Sequence, residues 1–166
     1  MSRSNQTTLC YIERDGQYLM MHRVKKEQDI NKDKWVGIGG HFEQDECPEE
    51  CLLRECREET NLQLTDYKLR GIITFISDKW QTEYMFLYTA TGFTGTIGEC
   101  REGILEWIDK SKVYDLPVWA GDKIFFHLLE TRLDCFSLKL RYEGENLAEV
   151  VLDGSPIDPV QALSAF

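Results

Sequence analysis

The stretch Gly39–Leu62, GGHFEQDECPEECLLRECREETNL, decides how the rest of this chain is read. It holds eight acidic residues in 24 positions, and Glu55, Glu58 and Glu59 sit almost side by side. Pro48 suits the first helical position, where its missing N–H costs nothing. Cys47 then becomes the N-cap, a weak one compared with Ser or Asp. Glu50 falls where it can reach back to the Cys47 N–H, and Glu49 and Glu50 favour the positive end of the helix dipole. Asn61 marks the stop, because Asn tolerates the left-handed conformation that ends helices.

At about 100° per residue the helix has three arcs. Leu52, Leu53, Cys56 and Thr60 share the arc expected to face the core. Glu50, Arg54 and Arg57 share a second. Glu55, Glu58 and Glu59 share a third, bordering the apolar one. Like charges three and four residues apart repel, and nearness to the core raises the cost. A solvated acidic face is the ordinary explanation of such a run. The two arginines point mostly away from it on this wheel, so a divalent cation is the competing explanation; clustered carboxylates suit Mg²⁺ or Mn²⁺.

Working outward, Thr7–Glu13 and Gln17–Arg23 read as strands joined at Asp15-Gly16, followed by a charged loop, Lys25–Lys34, and a short strand, Trp35–Gly40. Tyr67–Ile76 and Thr82–Ala90 read as a second hairpin, Gly92–Gly98 as a loop and Ile104–Ile108 as a strand. Gly121–Thr131 has helical spacing, and Cys135–Tyr142 with Leu147–Leu152 makes a last hairpin. The pattern predicts an α/β domain over residues 1–153, a mixed sheet with helices packed on it, with residues 154–166 as an appended tail.

The 166 residues suit one domain able to bury a core without metal or disulfide staples. The formal net charge of −10 argues against a broad contact with a DNA or RNA backbone, but not against a small phosphorylated ligand carried on a cation. With no apolar run near the ~20 residues of a membrane helix and no signal-like N-terminus, a cytoplasmic location is expected, and no membrane partner. The six cysteines form no CxxC pair and read as reduced thiols filling core volume; a zinc site from His41, Cys47 and Cys51 lacks the usual paired spacing.

Gly40, five residues, Glu46, seven residues, then Arg54-Glu55-Cys56-Arg57-Glu58-Glu59-Thr60-Asn61-Leu62 resembles the Nudix box, Gx5Ex7REUxEExGU, with U a bulky aliphatic residue. Every charged position agrees; Cys56 stands at a U position and Asn61 replaces the last Gly. The resemblance implies a Nudix hydrolase with an α/β/α sandwich and a loop–helix–loop box, acting with Mg²⁺ (Mn²⁺ as substitute) on nucleoside diphosphates linked to another group. It implies Glu55, Glu58 and Glu59 as metal ligands with the Gly39 carbonyl, Arg54 orienting the carboxylates, and Glu46 and Gly40 in the frame of the motif. The proton-accepting base would be Glu55 or, from a distant loop, Glu102, itself a further candidate ligand.

Beyond the box, DKWVGIGGHFE (33–43), LPVWAGDKIFFHLLE (116–130) and CFSLKLRYEGENLAEVVL (135–152) resemble the MutT-like, 8-oxo-dGTP diphosphatase branch. That resemblance implies Trp119 stacking near a purine, Asp122 hydrogen-bonding its edge, Ile30 and Phe125 lining the pocket, and Arg23 touching a phosphate or the base. Ordinary alternatives stand beside these: Trp119 as core, Asp122 as a first-turn helix charge. Val36 replaces an Asn of that branch and Gly121 the first Asp of its Asp-Asp pair, so one polar base contact is gone and the pocket is expected to be less selective. The products expected are a nucleoside monophosphate and pyrophosphate. The runner-up within the family is a broader nucleoside triphosphate or nucleotide-sugar pyrophosphatase; a non-catalytic nucleotide-binding module is the alternative of another class. A monomer or homodimer is expected.

Overall fold

β1 (Gln6–Arg14) and β2 (Gln17–His22) form an antiparallel hairpin around Asp15 and Gly16, whose φ values of 51° and 75° make the tight turn the sequence predicts. The computed structural model describes residues 3–166. The two strands pair only next to the turn, through Ile12↔Leu19, Glu13↔Tyr18 and Arg14↔Gln17. Further on they part, and the chain from Trp35 to His41 wedges between them. β3 (Trp35–Val36) pairs with β2, while Ile38 and His41 bridge to Cys10 and Thr7 of β1. The wedge leaves room for almost nothing: a Cβ on Gly37 would lie 2.8 Å from the Cys10 carbonyl oxygen, and one on Gly39 1.8 Å from that of Thr8. Thus the expected strand Trp35–Gly40 is a two-residue strand followed by isolated bridges, because its glycines serve close approach rather than ladder pairing.

Among the described residues, nine strands form one mixed sheet in the order β3-β2-β1-β5-β4-β7-β8-β9, with β6 on the free edge of β2. β4 (Gln63–Ser77) and β5 (Glu83–Thr94) are antiparallel; β1 with β5, and β4 with β7 (Phe136–Glu143), are parallel. β6 (Ile104–Asp109) and β8 (Asn146–Leu152) lie as the sequence predicts. β5 runs on through Gly92 to Thr94, two register shifts beside Asp66 absorbing the irregularity that reads as a loop in the sequence.

The sheet is apolar on both faces, with alternate residues going to opposite sides. Tyr11, Tyr18 and Met20 join a cluster with Phe125, Phe126 and Leu128 of α2 (Asp122–Thr131); Cys10, Ile12, Leu19 and Met21 join another with Leu52 and Cys56 of α1 (Pro48–Thr60). Each fully buried aromatic such as Phe125 contributes about 1.5–3 kcal/mol by area. The result is the sandwich expected, with helices on both faces of a mixed sheet.

Three expectations need correction. Leu53 is only half-buried; α1 is rotated so that Cys51 and Glu59 are buried with Leu52, Cys56 and Thr60. Four of the six free thiols fill core volume, but Cys47 and Cys135 are exposed. The tail is not a loose appendage: β9 (Ser155–Ile157) pairs with β8, α3 (Pro159–Leu163) follows, and the Phe166 ring stacks on Tyr114 at 5.1 Å.

Candidate functional site

α1 begins where the glycine wedge ends. Glu50 accepts a hydrogen bond from the Cys47 N–H at 3.2 Å, and the helix closes on Asn61 at φ 66°, whose N–H donates to the Arg57 carbonyl. Between these caps the helix carries its carboxylates against the wedge. The Glu59 carboxylate accepts from the Gly39 N–H at 3.1 Å. A Cβ on Gly40 would sit 2.5 Å from the Glu55 carboxyl carbon, so Gly40 is what lets Glu55 lie flat against the loop.

Arg54 is the hub of the cluster, contrary to the helix-wheel expectation that it points away. It forks onto Glu46 (Nε to Oε2 2.7 Å, Nη2 to Oε1 2.9 Å), donates from Nη1 to Glu55 at 2.8 Å and Glu58 at 3.2 Å, and from Nη2 to the His41 carbonyl at 3.0 Å. A long side chain bends across the helix surface in a way that an angular wheel cannot represent. The hydrogen bonds from Arg54 hold the Glu46 carboxyl below its ordinary range, and Glu46 also accepts from the Glu43 N–H, closing the loop ahead of the helix. Arg57 takes no part and reaches Gln63 instead.

The remaining carboxylates differ by burial. Glu58 is more than half exposed. Glu55 is pushed up by burial, with Arg54 opposing. Glu59, 7% exposed, is pushed up to about 10 by burial first and by the charges of Glu102 and Glu55 next. Glu102, from the loop before β6, lies within hydrogen-bonding reach of Glu59. Burial raises it, but Lys26, Glu59 and Arg23 together hold it below its usual range. Two carboxyls in such contact need a proton or a cation between them.

That frustration is what a hard cation relieves. Among the described residues no three His, Cys, Asp or Glu side chains converge into a preformed cage, since Arg54 and Lys26 now hold several of the oxygens. Yet the donors are all oxygen, Glu59 and Glu55 lie against Gly39 and Gly40, and among the described residues no salt bridge neutralises Glu59, the most buried of them. They fit a divalent ion of the Mg²⁺ type. The zinc alternative fails: the Cys51 thiol faces Thr8 and Gly40 and is pushed up to about 11 by burial, His41 Nδ1 lies 2.7 Å from the Ser4 carbonyl, and Cys47 is exposed.

A second group of residues lies at the start of α2. Trp119 is buried; its Nε1–H donates to Asn31 Oδ1 at 2.7 Å, Phe75 and Tyr142 meet it edge-on at 5.3 and 4.8 Å, and Lys34 Nζ lies 4.7 Å over its ring. Asp122 is 8% exposed and pushed up to about 8 by burial, with Lys34 and the Trp119 backbone opposing. Burial thus favours its protonated form, which can donate a hydrogen bond. Ile30 borders this cluster, whereas Phe125 is fully buried between Tyr11 and Phe126. Gly121 donates its N–H to the Tyr142 hydroxyl at 2.8 Å, and its lack of a side chain matters, since a Cβ would meet that oxygen at 2.6 Å.

Sequence reasoning missed Asn31, Lys34, Lys26 and Asp29. All four lie in the loop before β3, where the only signal was charge, and charge in a loop is ordinarily solvated. Arg23 was expected to face substrate; its guanidinium is instead taken up by Asp29 (2.7 Å) and Glu102 (2.8 Å).

This geometry, an acidic helix clamped by one arginine behind a glycine wedge in a mixed-sheet sandwich, defines a class of metal-assisted hydrolase. The NUDIX domain model matches residues 3–129, and the chain belongs to the Nudix family. It is 31% identical over 127 residues to the uncharacterized Nudix hydrolase YvcI of Bacillus subtilis, covering 74% of this chain and 77% of that one. It is 29% identical over 133 residues to an oxidized purine nucleoside triphosphate hydrolase of Danio rerio, covering 78% and 81%. In structure it is similar to the MutT protein of Bacillus halodurans, with a TM-score of 0.79 and 28% identity over 91% of this chain and 99% of that one. The protein is thus a MutT-like Nudix hydrolase, and hydrolases of this family generally use divalent metal ions. Among the described residues no helix is long and apolar enough to cross a membrane.

Proposed function

We propose that the protein hydrolyses purine nucleoside triphosphates, 8-oxo-dGTP or a related oxidised purine nucleotide foremost, to the monophosphate and pyrophosphate, with Mg²⁺. The observation that carries the purine reading is Asp122: a buried carboxyl at the start of α2, three residues from Trp119, whose burial favours the protonated form. A carboxylic acid can donate one hydrogen bond and accept another across a purine edge, which a carboxylate cannot. The likeness to the oxidized purine nucleoside triphosphate hydrolase of Danio rerio supports the same substrate class.

Glu55, Glu58, Glu59 and Glu102, with the Gly39 carbonyl, would hold the cation, which supplies charge neutralisation of the polyphosphate and an acidified water. Arg54 fixes Glu55 and Glu58 from one side and Glu46 fixes Arg54, so the carboxylates are aimed before substrate arrives. Glu55, poised by burial against Arg54, or Glu102 takes the proton of the attacking water. Trp119 and Asp122 hold the base, with Ile30 beside them, while Phe125 supports the site from within the core and does not line it. The implied role is removal of damaged nucleotides from the cytoplasmic pool, before they are used in DNA synthesis.

Release of pyrophosphate with Mg²⁺ from 8-oxo-dGTP and from dGTP, beside Glu59→Gln, tests this. A preference for the oxidised nucleotide that Glu59→Gln abolishes is the expected result. Equal rates on both would favour a broader nucleoside triphosphatase. No release from any nucleoside diphosphate derivative would favour a nucleotide-binding module.

A further inference from the structure

The loop between β2 and β3 touches both groups of site residues. At its start, Lys25 Nζ donates to the Cys100 carbonyl at 2.6 Å, Lys26 Nζ to Glu102 Oε1 at 3.0 Å, and Arg23 Nη1 to Glu102 Oε2 at 2.8 Å. At its end, Asn31 accepts from the Trp119 indole, and Lys34 covers that ring. Asp29 joins the two. One carboxylate oxygen takes Arg23 Nε at 2.7 Å and the other takes the Asn31 N–H at 2.9 Å. Its side chain is 5% exposed and that of Arg23 15%, so this pair is shielded from the screening that makes surface ion pairs worth little. An unbroken hydrogen-bonded path therefore runs from Glu102 through Arg23, Asp29 and Asn31 to Trp119.

We propose that Asp29 is a positioning residue that, through Arg23, fixes Glu102 against the metal-binding carboxylates and, through Asn31, ties that position to the base site at Trp119. The proposal rests on the reading of Glu102 and Trp119 given above. Its physical basis is geometric. The planar guanidinium of Arg23 spans two carboxylates in fixed directions, which the single ammonium of a lysine cannot do. With Asp29 neutralised, Arg23 loses the partner that orients it, and the 99–103 loop keeps only Lys25 and Lys26 as anchors from this loop. Arg23 is then a buttress of Glu102 and not a contact to phosphate or base.

Mn²⁺ binding, followed by the electron paramagnetic resonance of the free ion with no nucleotide present, is measured on the full chain as wild type, Asp29→Asn, Arg23→Lys and Glu102→Gln. Circular dichroism establishes which variants fold, and Arg23→Lys keeps the test open if Asp29→Asn does not. The expected result is Mn²⁺ binding weakened at least threefold in all three variants. On 8-oxo-dGTP with Mg²⁺, kcat should fall about 10–100-fold in Asp29→Asn and Arg23→Lys, the scale of lost outer-shell support, while KM stays within threefold. In a double-mutant cycle Asp29→Asn and Trp119→Phe, which removes the indole N–H donor along with part of the ring, should be less than additive on kcat/KM. Wild-type Mn²⁺ affinity in both folded variants, or a raised KM with kcat unchanged, would overturn the proposal; the latter would make Arg23 a substrate contact. Wild-type protein inert on every nucleotide would defeat the proposed function instead, leaving the Mn²⁺ data to decide the role of Asp29.

Discussion

The acidic face of α1 and the start of α2 hold buried carboxyl groups in different surroundings. At α1, Glu55 and Glu58 of the helix and Glu46 just before it are held by one guanidinium, while the more buried Glu59 rests on the Gly39 N–H and is pushed up to about 10 by burial and neighbouring charge. At α2, Asp122 is buried with Lys34 and the Trp119 backbone as its opposing influences, and burial pushes its carboxyl up to about 8. Both Glu59 and Asp122 are held towards their protonated forms, Glu59 by burial together with the charges of Glu102 and Glu55, Asp122 by burial alone. Neighbouring carboxylates, which a cation would offset, are the difference between the two regions.

The sharpest break of that contrast is on the α1 side. Glu55→Gln keeps the shape and removes the charge, and turnover should fall about 10²–10⁴-fold with the fold intact, read as kcat with Mg²⁺. Arg54→Lys should cost about 10–100-fold in kcat, because a lysine cannot fork onto Glu46 while reaching Glu55; unchanged kcat would mean that the carboxylates hold their own positions. On the α2 side, Trp119→Ala should raise the KM for purine nucleotides, by an amount set by the ~1–3 kcal/mol typical of base–aromatic stacking, with kcat less affected; a drop in kcat at constant KM would assign Trp119 to the core alone.

The smallest effect is the most diagnostic of Asp122. Its carboxyl titrates at about 8 folded against an ordinary 3.8, so between those values the native state binds more protons than the unfolded chain. Stability from this group is therefore full at acid pH and is lost as pH rises through about 8. Asp122→Asn, neutral throughout, should show a melting temperature that declines less between pH 6 and 9 than the wild type. Parallel curves would mean that Asp122 is ionised in the folded protein.

Part of the site can be read from residue order because it is local. Pro48, Glu50 and Asn61 fix where α1 starts and stops, and three- and four-residue spacings put Glu55, Glu58 and Glu59 on one side of it whatever surrounds the helix. Glycines 37 and 39 belong to a pattern that reads in sequence, but their reason, a wedge between two parting strands, does not. The phase of α1 also escaped, since Leu53 is the more apolar choice and Glu59 is buried instead, drawn in by the Gly39 N–H.

By itself, then, the sequence determined the three antiparallel hairpins, the two main helices, the mixed-sheet sandwich and the acidic cluster, all set by short-range stereochemistry and side-chain period. Only the tertiary structure decided that Arg54 turns back across the helix, that Glu102 lies near Glu59, that Arg23 is consumed by Asp29 and Glu102, and that the tail adds a strand to the sheet edge. These contacts join residues up to 79 positions apart. They depend on burial and on which flexible side chain reaches which partner, and no local pattern encodes that.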